Sequence, residues 1–142
     1  MLDNKYTVTF RLAIAGDNYK TSTGDKNDSV AGHLWYVLHK NGQQILSSGF
    51  QSLNHKPFDE GAVTNHDEKN YISSHPESSI TIQISQEQYE TLIKFGDNNG
   101  TNAKSMGFST DEYDVLTHNC VHYVFHALKL IGYKSSNPIN LN

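Results

Sequence analysis

Residues 33–50 read His33-Leu-Trp-Tyr-Val-Leu-His-Lys40, then Asn41-Gly42, then Gln43-Gln-Ile-Leu-Ser-Ser-Gly-Phe50. Asn-Gly between two strand-like runs is the strongest short-range hairpin signal, because the tight turn needs two residues that accept positive φ. A two-residue turn also fixes the pairing. Counting away from it sets Leu38 against Ile45, Trp35 against Ser48 and His33 against Phe50. On that register His33, Trp35, Ser48 and Phe50 share one face.

Upstream, Tyr6, Val8, Phe10, Leu12 and Ile14 alternate with polar or small residues, the period of a half-buried strand. Gly16 to Ser29 is rich in Gly, Asp, Asn, Ser and Thr and reads as an exposed loop. Downstream, Gln51 to Ser78 is polar, carries His55, His66 and His75, and shows no period. Connections of that length in a compact domain are usually functional or mobile. Ile80, Ile82 and Ile84 alternate as a further strand. Ser85-Gln-Glu-Gln88 is a capping box that should open a helix with Tyr89, Leu92, Ile93 and Phe95 inward and Gly96 as its left-handed stop. Asp97 to Asp114 reads as a second loop. A last helix is predicted from an N-cap at Thr117 to about Ile131, with Gly132 as its stop and Val121, Val124, Phe125 and Leu128 as its buried stripe. These elements predict one α+β domain over residues 1–142, an antiparallel sheet of about four to six strands with at least two helices packed on it.

A chain of 142 residues can bury a core without disulfides or metals. Its formal charge of −4 comes with no run of Lys or Arg interleaved with aromatics, which argues against a nucleic-acid partner. No stretch approaches the roughly 20 apolar residues that span a bilayer, and Met1-Leu-Asp-Asn-Lys5 lacks the apolar region of a signal peptide. Work outside the cytoplasm would then require a larger parent chain or a dedicated secretion machine. Otherwise the protein is expected in the cytoplasm.

The only cysteine, Cys120, cannot form an intramolecular disulfide. It falls in the first turn of the predicted last helix, within Leu116-Thr-His-Asn-Cys120-Val-His-Tyr-Val124. Unpaired amides and the positive end of the helix dipole favour a thiolate there. The same amides can stabilise the oxyanion formed when a thiolate attacks a carbonyl. A base is needed beside the sulfur. Among eight histidines, His33 opens a core strand between bulky apolar neighbours and is the candidate.

Asn119-Cys120-x-His122-Tyr123-Val124 at a helix start, preceded far upstream by a strand beginning with His33 and a hairpin, resembles the permuted branch of the NlpC-type papain-like superfamily. The Asn-Cys-x-His-aromatic-Val string is most similar to the lecithin retinol acyltransferase relatives. The resemblance covers His33 to Phe50 and Leu116 to Gly132. It implies a papain-like α+β fold with His before Cys, a cysteine amidase or peptidase acting on peptidoglycan stems, and no cofactor. It further implies a polar residue on the strand next to the histidine strand, orienting the imidazole. Ser48 has the matching parity on the register above. Gln51 has better chemistry but needs a bulge to reach that face, and His55 lies just beyond. Asn119, Trp35 and Gln51 are expected on the oxyanion and substrate side.

Other chemistries have weaker support. His118, His122 and His126 stack at i, i+4 and i+8, but no acidic residue lies between His122 and His126, so a solvated polar face is favoured over a metal site. Asp59-Glu60, Asp67-Glu68 and Asp111-Glu112 fall in predicted loops, where paired carboxylates are ordinarily solvated. No Walker-type glycine loop and no Gly-x-Ser-x-Gly elbow is present. The expectation is a Cys120–His33 amidase or peptidase, with the mild charge and loop-rich rim suiting a delivered antibacterial effector whose partners are cell-wall peptide and a cognate inhibitor or immunity protein. A thiol acyltransferase or lipid hydrolase is the competing enzyme, although Lys134 to Asn142 is polar where those relatives carry an apolar anchor. A silent binding module of the same fold is the non-enzymatic rival.

Overall fold

The computed structural model describes residues 3–13, 18–20, 26–28, 32–70 and 78–133. Ile14 and the polar tail from Lys134 lie outside the described residues. Strands β1 (Tyr6–Ala13), β4 (His33–Lys40), β5 (Gln43–Ser52), β7 (Gly61–Thr64) and β8 (Ser79–Ile84) form one sheet. Its order is β7-β5-β4-β1-β8 and every pairing is antiparallel. Two further ladders are short: β2 (Asn18–Lys20) with β3 (Lys26–Asp28), and β6 (Phe58–Asp59) with β9 (Tyr113–Asp114). The α+β class with an antiparallel sheet and packed helices is the predicted one. The β2–β3 ladder replaces part of the expected loop over Gly16–Ser29. Three residues per strand are too few for a periodic signal.

The hairpin forms at Asn41-Gly42, whose φ values of 53° and 81° are those a two-residue primed turn requires. Its register differs from the expected one. Lys40 pairs with Gln43, but Leu38 pairs with Leu46 and Trp35 with Gly49, because a bulge lies between Leu38 and His39 and Ile45 is the extra residue. Every side chain of β5 beyond the bulge therefore changes face. The physical gain is visible in the core: Leu46 and Phe50 now lie with Tyr36 and Leu38 on the helix side of the sheet. Ile45 is left 46% exposed. Phe50, Tyr36 and Leu38 are fully buried, so the bulge exchanges one exposed Ile for one continuous core.

Helix α2 (Gln86–Gly96) starts with the predicted capping box, Ser85 Oγ accepting from the Gln88 amide at 3.1 Å and Gln88 Oε1 from the Ser85 amide at 2.9 Å. It buries Tyr89, Leu92 and Phe95. Gly96 is not a left-handed stop, since the helix passes into an extended cap at Asp97. Its lack of a side chain serves close packing instead. A Cβ there would stand 2.7 Å from the Tyr36 hydroxyl and 2.9 Å from Ser48 Cβ. The region read as a second loop contains a 3-10 turn at Asn98–Gly100 and helix α3 (Thr101–Ser105).

The opposite face of the sheet is covered differently. The sequence left Gln51–Ser78 without structure, yet it forms β6, β7 and the one-turn helix α1 (Asp67–Asn70). Glu68 ties α1 to the sheet: its carboxylate accepts from Arg11 Nε at 2.7 Å and from Trp35 Nε1 at 3.0 Å, and its amide donates to Ser47 Oγ at 3.2 Å. Gly49 admits the neighbouring Asp67. A Cβ on Gly49 would lie 1.8 Å from Asp67 Oδ2 and 3.1 Å from Trp35 Cβ. Gly49→Ala should therefore displace the Asp67 carboxylate and destabilise the fold by about 1–3 kcal/mol, as overpacking does. Denaturant midpoints of the variant and the parent, at equal m-values, check this.

Candidate active site

Helix α4 (Cys120–Leu130) is capped by Asn119, two residues later than the expected Thr117. Asn119 Oδ1 accepts from the amides of Val121 at 2.9 Å and His122 at 3.4 Å, leaving Cys120 as the first helical residue. Its own N–H has no intrahelical acceptor. Gly132, with φ of 93°, ends the segment as predicted. The buried stripe is turned from the expected one. Cys120, Tyr123, Val124 and Ala127 are buried, while Val121, Phe125 and Leu128 are only partly so. Apolar count alone favoured Phe125; Tyr123 wins because its hydroxyl shares a 2.7 Å hydrogen bond with Ser48 and its ring stacks on Phe95 at 4.7 Å. The rotation brings Cys120 onto the sheet-facing side.

The pairing of β4 with β5 ends at Trp35 and Gly49. Just beyond it, the Leu34 amide donates to Cys120 Sγ at 3.5 Å. His33, the first residue of β4, is hydrogen-bonded to the same sulfur. Its other contact is at Nε2, 2.7 Å from Asp67 Oδ2, which leaves Nδ1 as the nitrogen able to meet the sulfur. Asp67 Oδ1 accepts from Thr64 Oγ1 and, at 3.4 Å, from Gln51 Nε2. The end of β4 thus carries an unbroken chain of contacts, sulfur to imidazole to carboxylate, with the carboxylate held by α1, β5 and β7. Comparison with protein-family models, with curated proteins and with solved structures finds no match.

Cys120 is 7% exposed, His33 4% and Asp67 0%, so little water screens these charges. Burial opposes the imidazolium of His33, but the hydrogen bonds and charges of Asp67 and Cys120 outweigh it and raise its pKa to about 9. Burial likewise opposes the Cys120 thiolate. The bond and charge of His33, with the Leu34 amide, reverse that and lower the thiol's pKa. Both directions favour the same ionised partners, thiolate and imidazolium, over the neutral pair. Tyr113, half-buried on β9, feels the sulfur: burial first, then the Cys120 charge, raises its phenol.

The remaining candidate residues fall elsewhere. Ser48, expected to orient the imidazole, lies on the helix side of the sheet against Tyr123, because the bulge reverses its face. The same bulge brings Gln51 onto the histidine side, where it holds Asp67. Trp35 has no exposure and stacks on the His33 ring at 5.4 Å. It forms the back wall of the site and cannot meet a substrate. Asn119 is turned to the helix amides and, through Nδ2, to the Val115 carbonyl at 2.8 Å, so its side chain serves the cap. His55 is exposed in the turn after β5. His118 and His126 direct Nε2 to the carbonyls of Ser109 and Met106, at 2.6 and 2.9 Å, whereas His122 turns Nδ1 to Asn119. The three rings do not converge, and among the described residues there is no metal-binding cluster.

Sequence reasoning missed Asp67 by treating Asp67-Glu68 as a solvated pair. The available signal was Thr64 three residues before Asp67, near enough for its hydroxyl to donate to the carboxylate. No apolar run follows it, so it does not read as a helix.

The paired shifts fix a pH dependence. The folded protein holds the His33 proton more tightly, so that contribution to stability is complete below about pH 6.5 and lost as pH rises through about 9. For Cys120 the sign is opposite: its contribution is present above the unfolded thiol's roughly 8.5 and lost as pH falls through the lowered folded value. The two slopes have opposite signs, so where both operate the unfolding free energy should vary less with pH than either group alone would make it. Cys120→Ser removes one of them. Its stability should then fall with rising pH by up to about 1.4 kcal/mol per pH unit, read from urea unfolding between pH 6.5 and 9.

Proposed function

We propose that this chain is a cysteine-dependent amidase or peptidase in which Cys120 is the nucleophile, His33 the general base and acid, and Asp67 the group that orients and charges the imidazole. The observation that carries this reading is the continuous hydrogen-bonded series Cys120–His33–Asp67, buried at the end of β4.

The thiolate attacks the carbonyl carbon of an amide, forming a carbon–sulfur bond while the carbonyl electrons move to oxygen. The Cys120 amide, at the first helical position and without an intrahelical acceptor, is the donor to the developing oxyanion in this reading. Collapse expels the amine, which takes its proton from the His33 imidazolium. Neutral His33 then removes a proton from water, hydroxide attacks the thioester, and the carboxylic acid leaves as the thiolate and imidazolium return. Asp67 fixes which ring nitrogen faces the sulfur and stabilises the cation in every step. The reaction as written needs no cofactor.

The chain order, histidine then acid then cysteine, and the Asn119-Cys120-x-His122 helix start support a permuted, NlpC-like arrangement of the papain-like fold. One detail departs from that family. Its orienting residue sits on the strand beside the histidine strand, and here β5 contributes Gln51 there only to hold Asp67, which arrives from α1. Cross-linked peptide stems of bacterial peptidoglycan are the proposed substrate, with delivery to the cell wall and a cognate immunity protein as partner. No helix among the described residues is long and apolar enough to cross a membrane.

Purified protein incubated with peptidoglycan should release new amine and carboxylate ends in the peptide stems, identified by mass spectrometry. Cys120→Ser should abolish release. Asp67→Asn should slow it by about 10³–10⁴-fold while leaving the fold intact, as loss of the orienting acid does in related triads. Release unaffected by Cys120→Ser would end the proposal. Thioester exchange onto added amines or lipids without hydrolysis would move it to an acyltransferase.

A further inference from the structure

We propose that His122 is a positioning residue for the nucleophile, acting through Asn119. The inference rests on the cysteine-hydrolase reading above and deepens it. His122 occupies the third position of α4, where a capping box ordinarily holds Glu or Gln. Its Nδ1 lies 3.3 Å from the Asn119 amide nitrogen and 3.0 Å from Asn119 Oδ1. Either hydrogen state of Nδ1 therefore closes on Asn119: a lone pair accepts the backbone N–H, and a proton donates to the carboxamide oxygen.

Asn119 is in turn the joint on which the site hangs. Its Oδ1 holds the amides of Val121 and His122, and its Nδ2 donates to the Val115 carbonyl. The Val115 amide donates to the carbonyl of Pro57, the residue before β6, at 2.9 Å, tying the turn before the helix to that segment. That turn is closed by Asp114, whose Oδ1 accepts from the amides of Leu116 and Thr117 and whose backbone bridges to His118. Cys120 sits between Asn119 and Val121, so its sulfur keeps its bond with His33 only while this cap is held. His122 does not touch the sulfur chain. Loosening Asn119 should let the first turn fray, carry Sγ away from His33, and return the thiol toward ordinary acidity.

The test is the rate of iodoacetamide alkylation of Cys120 against pH, followed by mass spectrometry on the full chain, with circular dichroism to verify folding. Wild type should alkylate with a midpoint well below that of a free thiol. His122→Ala should shift the midpoint up by about one pH unit and slow alkylation below it about tenfold. His122→Gln, which can accept and donate at the same place, should restore the wild-type profile. A folded His122→Ala variant with an unmoved profile overturns the inference, as does a folded His122→Gln variant with the profile of a free thiol. Should the Ala variant fail to fold, the Gln variant decides alone by keeping or losing the wild-type midpoint. A wild-type profile already like that of a free thiol would instead remove the hydrolase reading itself.

Discussion

A carboxylate with no access to water must be matched inside the protein, and the burial of Asp67 is the constraint from which the rest of this site follows. An unpaired buried charge is costly. Asp67 therefore recruits Thr64, Gln51 and His33. A histidine bonded to a buried carboxylate is held as a cation well past neutral pH. A cation beside a thiol at a helix start lowers that thiol's pKa. Each step passes the stabilisation of one buried charge to the next group, and the series ends at the sulfur.

Two features of the chain make that burial feasible. One is Gly49, where the absence of a side chain leaves room for the carboxylate above the sheet. The other is the bulge at Ile45, which puts Gly49 and Gln51 on the histidine side and Leu46, Ser48 and Phe50 on the helix side. Without it, Ser48 would take the place of Gly49 opposite Trp35, Phe50 would take the place of Gln51, and Gln51 would face the helices. A single extra residue near the turn thus decides both where the core is and whether the imidazole has a partner.

This is also where sequence reading stops. The hairpin, β1, β8, the capped start of α2, Cys120 at a helix start and His33 at a strand start were legible, because each rests on a local pattern of period, turn or cap. The third member was not. The Asn-Gly turn fixes a register only for strands without bulges, and the bulge arises from a long-range preference, the gathering of Phe50 with Tyr36, Tyr123 and Phe95 under the helices. Asp67 is hidden for a related reason. A four-residue helix has no periodicity, and an Asp-Glu pair in a polar stretch looks solvated until the glycine across from it is placed. The turn of α4 about its axis, with Tyr123 inward rather than Phe125, likewise depends on a hydroxyl partner 75 residues away.

Stability alone does not account for this arrangement. Replacing a buried ion pair with well-packed apolar side chains is commonly neutral or stabilising, and a module that only binds gains nothing from holding a thiolate against an imidazolium. Here several devices converge on the site: a glycine that leaves room for the carboxylate, a one-turn helix strapped to the sheet by Glu68, a strand amide donating to the sulfur, and a cap on the helix that carries it. Buried, perturbed charges of this kind concentrate at functional sites. A group prepared to attack a carbonyl needs a low-pKa sulfur, a proton donor within reach and a free amide facing the oxygen. A thiol of lowered pKa beside a protonated imidazole meets the first two of those needs, which supports the proposed hydrolase over a binding module.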